Sequence, residues 1–151
     1  MKKYCDPKEE TGPAGKEESS LNLEFTVLSG GFAVCKLRDA KDADLCAGPF
    51  VSLTVTGGEI SLVCPEEAMP EDRVAAETGW RCLKILGPLD FSLTGVLAEA
   101  SDALARRKIS LFAVSAFDTD YILVKCERVR EAMAALTERG WEYIEQKRGF
   151  L

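Results

Sequence analysis

The sequence contains no histidine. Ser-His-Asp and Cys-His catalysis, histidine-ligated metals and a histidine pH switch are therefore excluded. Cysteine is present but not in reactive spacing. Cys5, Cys35, Cys46, Cys64, Cys82 and Cys126 include no C-x-x-C pair, so zinc and thioredoxin-type motifs are missing. Cys35, Cys64 and Cys82 fall inside apolar strand-like runs and read as reduced thiols used as small core hydrophobes. Positive charge is in deficit, with 19 Lys+Arg against 25 Asp+Glu and a net charge of -6 at pH 7. A nucleic-acid partner needs a basic footprint and is not expected. No apolar run approaches the ~18 residues of a membrane helix. Residues 1–20 also lack the apolar stretch of a signal peptide. The expectation is a cytoplasmic protein without membrane contact.

What is there is ordinary globular material. The chain has 151 residues, 46% apolar and 29% charged. A chain of this length buries roughly 70% of its unfolded surface, enough for a core without staples. Residues 1–20 mix Pro7, Pro13, Gly12 and Gly15 with charge of both signs and read as a flexible tail. Four β-rich runs follow: Leu21–Leu28, Phe32–Leu37, Phe50–Thr56 and Glu59–Cys64. Gly30-Gly31 and Gly57-Gly58 lie between neighbouring runs, which is a hairpin signal. Residues 65–79, with two prolines and five acidic residues, read as a connector.

The second half has clearer periodicity. Trp80–Leu86 reads as a strand, and Pro88 and Asp90 break it. Leu93, Val96, Leu97, Ala100 and Leu104 form one helical stripe, so a helix is expected over 92–107. Ile109–Phe117 is a strand, Asp118-Thr119-Asp120 a turn, and Tyr121–Lys125 the returning strand. Val129, Ala132, Met133 and Leu136 mark a second helix that Gly140 stops, before a short strand at Trp141–Ile144. This order is β-α-β-β-α-β, the split-βαβ ferredoxin-like unit of an α+β fold. Shifting Val51–Val63 by 61 positions lays it on Phe112–Val124, so the first half reads as a shortened copy. The expected organisation is a tail over 1–20, a degenerate unit over 21–70, a connector over 71–79 and a complete unit over 80–151. Strand Ile109–Phe117 is apolar on both faces and must be covered, by the first half or by a second subunit.

These residues resemble a known family. Gly79–Lys84, Gly87–Gly95, Ile109–Ser115 and Asp118–Lys125 are similar to small bacterial ACT-domain proteins related to the CASTOR arginine sensors and to the regulatory domains of aspartate kinase. Val63-Cys64-Pro65-Glu66-Glu67 looks like part of a degenerate first ACT unit. The resemblance spans roughly residues 22–145. It implies tandem ACT-like units, an amino-acid or other small-molecule ligand held between units, and a homodimer. It implies no cofactor.

The candidate site has two walls. The turn Leu89–Gly95 enters a helix, and a helix start is a natural anion site. The resemblance places an amino acid on this loop, over Asp90, Ser92, Thr94 and Gly95. Asp90 or Ser92 is also expected to cap the helix. The second wall is Ser115 with Asp118, Thr119 and Asp120, whose carboxylates would face the ligand ammonium. These are also ordinary turn residues. D-x-D without a third ligand is not a metal site. The hairpin tip is expected to lie far from the helix start within one unit, which puts the site between units or subunits. The first reading of function is a regulatory module that binds an amino acid and is no enzyme. The second is a structural or interaction module whose site is empty. An enzyme using paired carboxylates is the third, with no nucleophile or cofactor motif behind it.

Overall fold

The structure, a computed structural model, describes residues 21–90 and 92–146, so the expected tail at 1–20 lies outside the described residues. Among the described residues, eight strands form one sheet: β1 (Glu24–Val27), β2 (Phe32–Leu37), β3 (Ser52–Val55), β4 (Ile60–Pro65), β5 (Ala75–Ile85), β6 (Phe112–Ser115), β7 (Asp120–Lys125) and β8 (Glu142–Tyr143). Two α-helices among the described residues, α1 (Val96–Arg106) and α2 (Val129–Glu138), belong to the second half. The fold is α+β, with two ferredoxin-like units of which the first has lost its helices.

β5 organises the sheet. One of its edges pairs with β7, from Trp80 opposite Lys125 to Lys84 opposite Tyr121. Its other edge pairs first with β2, then with β1, both antiparallel. β1 and β2 therefore run the same way, end to end along β5. Gly30-Gly31 joins two collinear strands and is not the hairpin that the dipeptide predicts. The connector expected at 65–79 is shorter than the sequence implies, because β5 already begins at Ala75. What remains is a 3-10 turn at Glu66–Ala68 and a loop.

β1 also lies apart from the unit that follows it in sequence. It sits between β5 and β8, where Glu24 pairs with Glu142 in parallel. Phe25 is fully buried among Leu83, Val96, Leu104, Ile122, Leu136 and Trp141, the core beneath α1 and α2. Residues 21–27, grouped with the first unit by chain order, thus complete the second.

The two units share one pairing pattern, which fixes how they superpose. Leu53 faces Leu62 in the first hairpin and Ala113 faces Ile122 in the second. The hairpins therefore match at a shift of 60, not 61. A one-residue slip would exchange the two faces. At the corrected shift, Glu59 falls on Thr119, so it does not repeat a carboxylate of Asp118 or Asp120. Phe32 matches Trp80 at a shift of 48, since each faces the last residues of the next inner strand. The first unit is twelve residues short between its first two strands. A 3-10 turn at Ala40–Ala43 stands where the second unit has α1, and only the 3-10 turn at Glu66–Ala68, no α-helix, lies between β4 and β5.

The two units share a core cluster. Phe32, Phe50 and Val63 of the first pack with Cys82 and Leu123, and with half-buried Phe112 and Tyr121, of the second. The Phe50 and Tyr121 rings stack at 4.2 Å between centroids. The first half therefore covers the Phe112 and Val114 face of β6, as one of the two expectations required. Ala113 and Ser115, on the other face, are exposed.

Helix ends follow local chemistry. α2 closes through Gly140 at φ 90°, with the Trp141 amide donating to the Leu136 carbonyl at 3.2 Å. α1 begins at Val96, four residues later than expected. Asp90 and Ser92 do not cap it. Its N-cap is Gly95 at φ 84°, with no side-chain cap bond.

Three thiols, Cys35, Cys64 and Cys82, are buried, and burial pushes Cys64 and Cys82 up to about 12. All five described cysteines are free. Among the described cysteines of the native protein, exposed Cys126 is expected to react first with a thiol reagent and the half-buried Cys46 next. In denaturant without prior reduction, all six cysteines of the sequence are expected to react, which a mass shift per thiol will count. The raised thiols also set a pH dependence. Unfolded thiols ionise from their ordinary 9.0, while the buried ones stay protonated until about 12. Stability from this source is complete below pH 9 and is lost as pH rises through that window. Denaturant midpoints measured from pH 8 to pH 11 will show it as a plateau up to about pH 9 and a fall above it.

Candidate ligand-binding site

Antiparallel pairing of β5 with β7 puts the end of β5 beside the start of β7, and so beside the β6–β7 hairpin tip. α1 then runs back over the sheet, so its N-terminus stays at that same end. The hairpin tip and the helix start therefore meet within one unit. The distance argument that placed the site between units fails, because the helix returns antiparallel to β5.

The contact is direct. The Leu89 amide donates to the Asp118 carbonyl at 2.7 Å. The Thr119 hydroxyl, almost fully buried, donates to the Ile85 carbonyl. Ala116 closes the hairpin tip by donating its amide to the Thr119 carbonyl at 2.9 Å. Gly87 permits the close approach: a Cβ there would sit 2.8 Å from the Leu89 nitrogen and 2.9 Å from the Asp118 oxygen. Both are backbone atoms and cannot swing away. Gly87→Ala is expected to push loop 88–95 off the hairpin and cost about 1–3 kcal/mol, read as a lower denaturant midpoint.

Between these elements lies an open cleft of about 310 Å³. Asp90, Gly95, Ser115, Asp118, Thr119 and Asp120 line it; of the eight candidates, only Ser92 and Thr94 do not. Ser92 instead supports the wall. Its amide and hydroxyl donate to Asp90 Oδ1 at 2.7 and 2.6 Å. Those bonds, the hydroxyl first and the amide second, hold the Asp90 carboxyl below the usual carboxylate range.

The helix start was identifiable in the sequence, but the backbone groups it presents to the cleft were not. Val96, Leu97 and Ala98 line the cleft, and the first turn of a helix has no intrahelical acceptor for its amides. The first helical bond is the Glu99 amide to the Gly95 carbonyl, at 2.9 Å. Three amides and the helix dipole therefore meet an acidic hairpin tip across one cleft. Leu89, Leu93 and Phe117 add apolar surface at its walls. Gly95 has nothing within 4 Å of an added Cβ; its left-handed backbone, not crowding, is what requires glycine. Among the described residues, no group of three His, Cys, Asp or Glu could hold a metal ion. No helix there is long and apolar enough to cross a membrane.

The fold is ferredoxin-like, with an open cleft where the helix start meets the hairpin tip. Residues 75–138 match the family model of the ACT domain. A protein from Agobacterium tumefaciens, known from its crystal structure, is similar at 28% identity with a TM-score of 0.76, over 87% of this chain and 98% of its own. A Vibrio cholerae protein of unknown function is similar at 17% identity and a TM-score of 0.65, over 82% and 94% of the two chains. The ligand-free regulatory subunit of aspartate kinase from Thermus thermophilus shares the fold at 10% identity and a TM-score of 0.58, over 80% and 99%. No curated protein matches this chain in sequence.

Proposed function

We propose that this protein is a non-catalytic regulatory module that binds a free amino acid in the cleft between the start of α1 and the β6–β7 hairpin tip. One observation carries the reading: an uncapped helix start and an acidic turn line the same small cleft. An α-amino acid presents a carboxylate and an ammonium about 3 Å apart, and each wall offers the matching charge. The cleft volume falls at the low end of the ~300–1,000 Å³ of small-molecule sites. The ACT match over residues 75–138 and the shared fold with an aspartate kinase regulatory subunit support a regulatory role. The protein works in the cytoplasm as a homodimer and passes ligand occupancy to another protein through a change in that assembly.

A thermal-shift screen against the twenty amino acids tests the reading. Arginine has a place in it through the resemblance to the CASTOR sensors. A ligand that binds only the folded state raises the melting temperature, by about 2.7 kcal/mol of stability at a hundredfold excess over Kd. One or a few amino acids should do so. No shift with any of the twenty at millimolar concentration would overturn the amino-acid reading and favour the interaction module.

A further inference from the structure

β3 ends the sheet, pairing with β4 on one side and with no strand among the described residues on the other. Val51, Leu53 and Val55 are 37%, 43% and 61% exposed, unusually open for such side chains. They alternate along the strand, so they share one face, the face that carries buried Leu62 and Cys64. The second unit shows what an open edge looks like in this fold. Of its matching positions, Ala113 and Ser115 are small and Leu111 is half-buried against the core beneath the helices. Soluble proteins guard free edges with charge, proline or a bulge. Residues 50–58 contain no charge and no proline.

The edge is also self-complementary. Val51-Ser52-Leu53-Thr54-Val55 is symmetric in residue type about Leu53. We propose that β3 pairs antiparallel with β3 of a second copy of this chain, with Leu53 on the two-fold axis. Val51 then lies opposite the partner's Val55, Ser52 opposite the partner's Thr54, and Leu53 opposite its own copy. The two apolar rows join on one face, and the unpaired amides and carbonyls of both edges are satisfied. The arrangement is isologous and closes at two subunits. A register offset by one residue would send the apolar rows to opposite faces. This pairing gives the homodimer proposed above its surface and rests on that part of the reading.

Light scattering at micromolar concentration tests it on the full chain and three variants. The wild type should give about twice the 16.5 kDa chain mass. L53K brings two like charges together on the axis and should give the monomer mass. V51K/V55K sets like charges opposite each other and should also dissociate. V51K/V55E carries as many charges but sets opposite ones face to face, so it should remain dimeric. All three positions are exposed, and unchanged circular dichroism will confirm folding. A monomeric wild type would overturn the dimer itself. A dimeric wild type with all variants dimeric would overturn the β3 surface and leave the dimer. Equal dissociation of both double variants would overturn the register. Repeating the amino-acid screen on monomeric L53K reads ligand binding separately from assembly.

Discussion

Phe25→Ala should lower stability by about 3–5 kcal/mol, the range for removing a buried aromatic side chain. Phe25 is fully buried although it stands at the very start of the described chain. Its ring lies 5.7 Å from that of Tyr143 on β8, and its strand pairs with β5 and β8 at once. The loss would fall on the second unit, nearly sixty residues away in sequence, because β1 fills the place between β5 and β8. The same geometry predicts that residues 80–151 alone will not fold. That fragment leaves β8 without its partner and opens the core beneath α1 and α2. Chemical denaturation of Phe25→Ala and circular dichroism of the fragment check both statements. A cost below about 1 kcal/mol, or a folded fragment, would return residues 21–27 to the first unit.

Elements written in local chemistry were legible in the sequence. Of the stripe read from the sequence, Val96, Ala100 and Leu104 are buried on α1 and Leu97 is half-buried, whereas Leu93 precedes the helix and is exposed. Gly140 ends α2 as its position implies. Gly57-Gly58 does join paired strands, because Thr56 and Glu59 close a hairpin there through a 2.9 Å bond. Gly30-Gly31 carries the same local signal, but tertiary pairing of both flanking strands with β5 decides its geometry. The 61-residue register was misread for a related reason. Leu62-Val63-Cys64 is buried on both faces, so no alternation with polar residues fixes which side is which.

The candidate cleft was legible where side chains line it. Asp90, Ser115, Asp118, Thr119 and Asp120 were all identifiable, and the structure brings them to one cleft. Two things were hidden. The amides of Val96, Leu97 and Ala98 have no side-chain signature, since any residue presents them. The nearness of the two walls depends on the direction in which α1 returns over the sheet, which no single motif encodes.

Loss of one hydrogen-bond partner of a charged ligand group on either wall should weaken amino-acid binding by about 1.5–3 kcal/mol, roughly 10–150-fold in Kd. Asp118→Asn removes a carboxylate from the hairpin tip while keeping its size. The Leu89 bond uses the Asp118 backbone carbonyl, so it survives the change. On the other wall, Ala98→Pro deletes one amide donor. Ala98 is exposed and lies in the first turn of α1, where proline costs no intrahelical hydrogen bond. The two variants act on opposite ends of the ligand. A zwitterion held by both walls should lose affinity in each, whereas a simple amine should lose it only in Asp118→Asn and a simple carboxylate only in Ala98→Pro. Asp90 gives the internal control. Its carboxylate already accepts two bonds from Ser92, so Asp90→Asn should disturb the wall before it disturbs the charge balance. Calorimetry with the amino acid found by thermal shift, and with its amine and carboxylate analogues, measures all three. Unchanged affinity in Ala98→Pro with an unchanged melting temperature would remove the helix start from the site and leave the hairpin turn as its only charged wall.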